Sequence, residues 1–146
     1  MTEITTPKPT TMFWILGGLF LLWNVFGCYM YYLDMTLSDA AYAESYGEAM
    51  AALRDQYPTW SVAAYAIAVW GGLAAAILYL LRKAWCVPVF ILSLIAAVLS
   101  FAWGLTNAEM REAAGTMGWA MPLIVVTAGI FEIWWSRKMK GHGWLN

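Results

Sequence analysis

The sequence predicts an all-α membrane protein: an antiparallel bundle of four transmembrane helices with an amphipathic helix in the first outer loop. Three observations carry that prediction. Four apolar stretches, 13–33, 60–81, 84–105 and 118–136, fill most of the 146 residues, and Glu132 is the one charged residue inside them. A hydrocarbon core of roughly 30 Å takes about 20 residues of helix at ~1.5 Å rise, so each stretch is long enough to span it. Basic and acidic residues separate into alternate inter-span segments, and tryptophan and tyrosine gather at the stretch ends. With 62% hydrophobic and 12% charged residues, too little polar surface remains to solvate a soluble domain of this size. The chain is expected to form one integral membrane domain over 1–146.

The first stretch is too long for a signal-peptide h-region, and no small-x-small cleavage pattern follows it. Val25-Phe26-Gly27-Cys28 loosely matches a lipoprotein acylation box. Phe26 is bulky for that motif and the apolar run continues to Leu33, so a spanning helix is the better reading. In the next segment Thr36 and Asp39 have the spacing of a helix N-cap box. Tyr42, Tyr46, Ala49, Met50, Leu53 and Tyr57 then recur as one helical stripe, with Glu44, Glu48 and Asp55 on another face and Pro58 closing the segment. One amphipathic helix over about 37–56 is expected, shielding the helix ends. Its acidic face is unsuited to anionic headgroups. The second and third stretches are joined through Arg82-Lys83, which makes them adjacent helices. An Arg-Lys pair also follows the fourth stretch (Arg137-Lys138). That pattern is compatible with a two-hairpin repeat, although positive-inside selection alone accounts for it.

Six of the eight basic residues (Lys8, Arg82, Lys83, Arg137, Lys138 and Lys140) flank the ends that would face one side of the membrane. Arg54 and Arg111 lie on the other side, with Asp34, Asp39, Glu44, Glu48, Asp55, Glu109 and Glu112. This split predicts cytoplasmic N- and C-termini in a multi-pass protein. Phe13, Trp14, Tyr79, Trp85, Trp134 and Trp135 mark the inner interface; Tyr31, Tyr32, Tyr57, Trp60, Trp103 and Trp119 mark the outer one. The net charge of -1, without a basic patch, excludes a nucleic-acid partner.

At ~100° per residue each span has a face of small or polar side chains. These are Gly17, Leu21, Asn24, Cys28 and Tyr31 on the first; Ala64, Ala68, Gly71, Gly72 and Ala75 on the second; Ser93, Ala97, Ser100 and Gly104 on the third; and Gly118, Met121, Val125, Ala128, Gly129 and Glu132 on the fourth. In lipid, close backbone approach through small residues packs helices. Gly17, Ala64, Ala68, Gly72, Ser93, Ala97, Ser100, Gly104 and Gly129 are therefore expected packing positions.

Few residues suggest chemistry. Asn24 falls about 16 Å into the first span, near the midplane. With Trp23 and Trp70 at similar depth it could form a small polar pocket with aromatic walls, or simply tie two helices together. Glu132 is an intramembrane ionisable group and so a functional candidate. Its position near the end of the fourth stretch predicts pairing with Arg137, Arg82 or Lys83. Cys28 and Cys86 sit about 20 Å apart along the bundle, whereas a disulfide needs Cα atoms within ~7 Å. His142 is the lone histidine, in a Gly-rich tail expected to be solvated or interfacial. These residues compose no catalytic set, no metal or haem site and no phosphate-binding loop, so neither enzymatic activity nor a cofactor is expected.

Leu22-Trp23-Asn24, Ala66-Ile67-Ala68-Val69-Trp70-Gly71-Gly72, Leu81-Arg82-Lys83, Val87-Pro88-Val89-Phe90-Ile91-Leu92-Ser93, Ile133-Trp134-Trp135-Ser136-Arg137-Lys138 and Gly143-Trp144-Leu145 are short motifs distributed along nearly the whole chain. In these motifs it resembles a family of small bacterial four-span proteins loosely labelled "sugar transporter". The resemblance implies a bacterial inner-membrane scaffold and a lean toward solute handling, with no assigned chemistry. Two functions are expected from the sequence. The first is a non-enzymatic accessory subunit of a membrane assembly, with the bilayer and a membrane-protein partner as its contacts. The second is a small-solute carrier acting as a homo-oligomer.

Overall fold

The computed structural model describes residues 7–146, so the first six residues of the 1–146 domain lie outside the described residues. Its helices are α1 (Thr11–Thr36), α2 (Asp39–Tyr46), α3 (Glu48–Leu53), α4 (Thr59–Leu80), α5 (Cys86–Thr106), α6 (Ala108–Ala114) and α7 (Met117–Gly141), with a 3-10 turn at Arg54–Gln56. No strand forms among the described residues. The chain is all-helical, and α1, α4, α5 and α7 are each long and apolar enough to cross a membrane.

Local chemistry sets the helix limits. α1 does not stop at Leu33 but runs through Asp34 to Thr36. Thr36 is therefore the last residue of α1, not a cap, and its hydroxyl donates to the Tyr32 carbonyl at 2.7 Å. Ser38 caps α2 instead, its Oγ accepting from the Ala41 N–H at 3.3 Å. The single helix expected over 37–56 is divided in two by Gly47, whose φ of +93° strongly favours glycine. α5 carries Pro88 in its first turn, where no intrahelical N–H bond is lost. α6 occupies a segment that the apolar pattern leaves as loop. The Asn107 carboxamide oxygen caps it by accepting from the Met110 N–H at 3.1 Å. α7 continues past residue 136 because Arg137, Lys138, Met139 and Lys140 are all good helix formers.

α4 lies at the centre of the packing, against α1 on one side and α5 on the other, and α7 packs on α5. Gly17 lets α1 approach α4: a Cβ there would come 2.6 Å from Leu80 Cδ2 and 2.8 Å from Tyr79 Cε1. Further along, the Cys28 thiol donates to the Val69 carbonyl at 3.3 Å, and the Tyr31 and Tyr65 rings meet edge-on at 5.1 Å. Between α4 and α5, Ser61 Oγ donates to the Ser100 carbonyl at 2.9 Å and Ser93 Oγ to the Ala68 carbonyl at 2.6 Å. Between α5 and α7, a Cβ on Gly129 would come 2.8 Å from Leu94 Cδ1.

The main apolar core sits at the end of the bundle that holds both ends of the described chain. Phe13, Phe20, Tyr79, Phe90, Met139 and Trp144 are buried there. Phe13 stacks on Tyr79 at 4.5 Å, and the Tyr79 hydroxyl donates to the Phe13 carbonyl and accepts from Trp135 Nε1. The last residues join this core: Trp144 and Leu145 are buried, whereas His142, in the tail expected to be solvated or interfacial, is exposed and stacks on Trp144 at 5.1 Å. Two left-handed turns bring them in. Arg82 has φ +59° after α4, and the N–H groups of Arg82 and Lys83 bond the Tyr79 and Leu78 carbonyls. Gly143 has φ +73° after α7, and the N–H groups of Gly143 and Trp144 bond the Lys140 and Met139 carbonyls. The turns then bond each other, Asn146 N–H to the Arg82 carbonyl and Ala84 N–H to the Asn146 carbonyl, each at 2.9 Å. Arg82 Nε donates to the Trp144 carbonyl at 3.0 Å. Toward the opposite end, a second buried cluster consists of Ala68, Ala96 and Ala97 alone.

Candidate functional site

That half of the bundle is hollow. Side chains as small as Ala68, Ser93, Ala97, Ser100, Gly104 and Gly129 leave a cavity of about 860 Å³ between α1, α4, α5 and α7. The same residues were expected as packing positions, and they serve both ends: Ser93 and Gly129 hold helix pairs together while also lining the space. Gly17, Ala64 and Gly72 do not line it. Trp23, Tyr65, Phe101 and Met121 form parts of the walls, and Phe90 closes the floor over the apolar core.

The floor also carries a polar knot drawn from all four long helices. Asn24 on α1 and Glu132 on α7 are 8% and 5% exposed, and Asn24 Nδ2 donates to Glu132 Oε1 at 2.7 Å and to the Phe20 carbonyl at 2.8 Å. Gly72 on α4 makes room for the amide, since a Cβ there would run into Asn24 Oδ1 and come 3.1 Å from Ser93 Oγ. A side chain at residue 72 and the carboxamide cannot both occupy that space. The second oxygen of Glu132 has no hydrogen-bond donor among the described residues.

This placement corrects the pairing expected for Glu132. Among the described residues the one ion pair is Arg54 with Asp39 at 3.1 Å. Arg137 follows Glu132 by five residues, about 140° around the helix, and is exposed. Arg82 is held by the Trp144 carbonyl. Because α7 reaches Gly141, Glu132 lies some 13 Å from the end of its helix by helix rise. Of the two tryptophans expected near Asn24, Trp23 lines the cavity, whereas Trp70 is 53% exposed on the outer surface of α4 and takes no part.

At the other end of the cavity Asp34 receives two phenols, Tyr46 at 2.7 Å and Tyr65 at 3.2 Å. Arg54 donates to the Asp34 and Leu37 carbonyls as well as to Asp39, and lies 4.6 Å over the Tyr42 ring. Arg111 is held by the Leu105 carbonyl at 2.6 Å. Burial pushes the Tyr42 phenol up to about 12, with Tyr57 and Asp34 adding to the shift and Arg54 opposing it. Tyr46 is raised as well, first by burial and then by its bond to Asp34. Asp34, Tyr46 and Tyr65 escape sequence reasoning because they come from three helices without common spacing.

No protein-family model, no curated protein and no solved structure matches the chain. Any functional reading therefore rests on the geometry above.

Proposed function

We propose that this chain is a non-enzymatic, multi-pass protein of the bacterial inner membrane that binds a small, mainly apolar solute between its spans. In this reading the four long helices form an antiparallel bundle with both termini cytoplasmic, and α2 and α3 cap its outer end as an amphipathic cover. The observation that carries the reading is the cavity of about 860 Å³ with the buried Asn24–Glu132 pair at its floor. Its volume falls in the usual range of small-molecule sites, roughly 300–1,000 Å³, as does its chemistry of apolar walls with a few convergent polar groups. In this reading an oligomer of the chain handles the solute.

The test is occupancy. Ala97→Trp fills the cavity beside the α4–α5 seam, and a solvatochromic naphthylamine dye should bind the detergent-solubilised native protein but not this variant at matched helicity. Equal dye binding by both proteins would rule the cavity out as the site.

A second reading, the accessory subunit, has one observation in its favour. Of the most apolar window of α7 only 6% is buried, against 28%, 33% and 28% for α1, α4 and α5. A helix so lightly held is suited to packing on another membrane protein. Mild-detergent purification discriminates: a stoichiometric foreign chain favours the subunit, and a homo-oligomer favours the carrier.

A further inference from the structure

We propose that the cavity takes an organic cation with an aromatic or otherwise apolar body, and that Glu132 is its counter-charge. The inference rests on the solute-binding reading above and names the class of solute.

The argument begins with what Glu132 lacks. A carboxylate buried at membrane depth normally faces a cation or several donors. Glu132 is 5% exposed, and its partner among the described residues is one neutral amide, on one of its two oxygens. The guanidinium groups that line the cavity, Arg54 and Arg111, are at the far end and already committed to backbone carbonyls. Ten residues of α1 separate Asp34 at that end from Asn24 at the floor, about 15 Å of helix rise. The floor thus presents an acceptor with no counter-charge, directed into a space large enough for a molecule.

The surroundings narrow the class. A bare metal ion would want several oxygen ligands. Among the described residues no three His, Cys, Asp or Glu side chains come together to supply them. An anion would find no cation at the floor and would meet Asp34 at the other end. A polyol would leave hydroxyls against apolar walls. A bulky cation, by contrast, gains from aromatic rings along its path, since Trp23, Tyr65, Phe90 and Phe101 all line the space. Asp34 at the mouth adds attraction on entry.

The experiment compares tetraphenylphosphonium with neutral triphenylphosphine oxide, each titrated by calorimetry into the full chain in detergent. The native protein should bind the phosphonium at least about tenfold more tightly than the oxide. Glu132→Gln should remove that preference by weakening phosphonium binding at least about tenfold, and Glu132→Asp should retain it. Near-ultraviolet circular dichroism of each variant reports whether the fold survives. Should Glu132→Gln fail to fold, the comparison of the two probes on the native protein and on Glu132→Asp still decides. Equal affinity of the native protein for both probes, or an undiminished preference in folded Glu132→Gln, overturns the cation assignment and leaves the cavity reading standing. Binding of neither probe by the native protein, or binding by the cavity-filled Ala97→Trp as tight as the native protein's, overturns the cavity reading and this inference with it.

Discussion

At the scale of single residues, Asn24 and Glu132 tie α1 to α7 at the floor of the cavity. Asn24→Ala would leave the Glu132 carboxylate without its donor, so it should cost more than an ordinary interhelical bond in a membrane, about 1–3 kcal/mol rather than ~0.6. A cycle of Asn24→Ala and Glu132→Gln, followed by thermal unfolding in detergent, should show coupling of about 1 kcal/mol. Strict additivity would mean that the two side chains do not meet. Gly72 supports the same knot: Gly72→Leu should destabilise by about 1–3 kcal/mol, whereas Ala74→Leu, on an exposed position, should be close to neutral. The individual importance of Asn24, Glu132 and Gly72 is legible in the sequence as polar or small residues at mid-span. Their convergence is not, because 108 residues separate Asn24 from Glu132 and no local pattern encodes how α1 and α7 are rotated toward each other. Tyr42 adds a test by pH. Its phenol holds its proton up to about 12 when folded, above the ~10 of an unfolded chain. The stability it contributes is therefore complete below pH ~10 and lost as pH rises through the folded value. Tyrosinate absorbance should show a late-titrating phenol that Tyr42→Phe removes; a titration unchanged by that substitution would refute the assignment.

At the scale of elements, the spans are the legible part. An uninterrupted apolar run can only be a helix in lipid, because backbone polar groups there need internal partners. The ends are less legible. α1 continues three residues beyond the apolar run and α7 five, because helix propensity persists where hydropathy stops. The loop segment reads as one stripe, yet the φ of Gly47 divides it, and a periodicity count is blind to a backbone angle. The docking of Trp144 and Leu145 escapes the sequence for a similar reason, since it depends on two left-handed turns that face each other. One of them can be tested directly. Gly143→Ala places a Cβ at φ +73°, a strain of about 1–2 kcal/mol, and should loosen Trp144 from the core. Its tryptophan emission should shift to the red and its melting temperature fall. An unchanged spectrum and melt would show that the final turn is not a structural anchor.

At the scale of the molecule, a dense half and a hollow half are joined end to end, and charge gives that polarity a direction. The dense half gathers Lys8, Arg82, Lys83, Arg137, Lys138 and Lys140 around the described termini. The hollow half carries Asp34, Asp39, Glu44, Glu48, Asp55, Glu109 and Glu112, with two arginines whose donors are taken up by backbone carbonyls. The charge asymmetry seen in the sequence therefore runs along the structure, with six of the eight basic residues at one end. Positive-inside selection then predicts that this end is cytoplasmic and that the cavity opens from the other face. Reporter fusions after Lys140 and within residues 43–52 should report opposite sides of the membrane, with the first inside. A membrane-impermeant maleimide should then label a cysteine introduced at Glu48 in intact cells but not one at Lys138. Labelling of Lys138→Cys from outside would invert the molecule and make the cavity a site that draws its ligand from the cytoplasm.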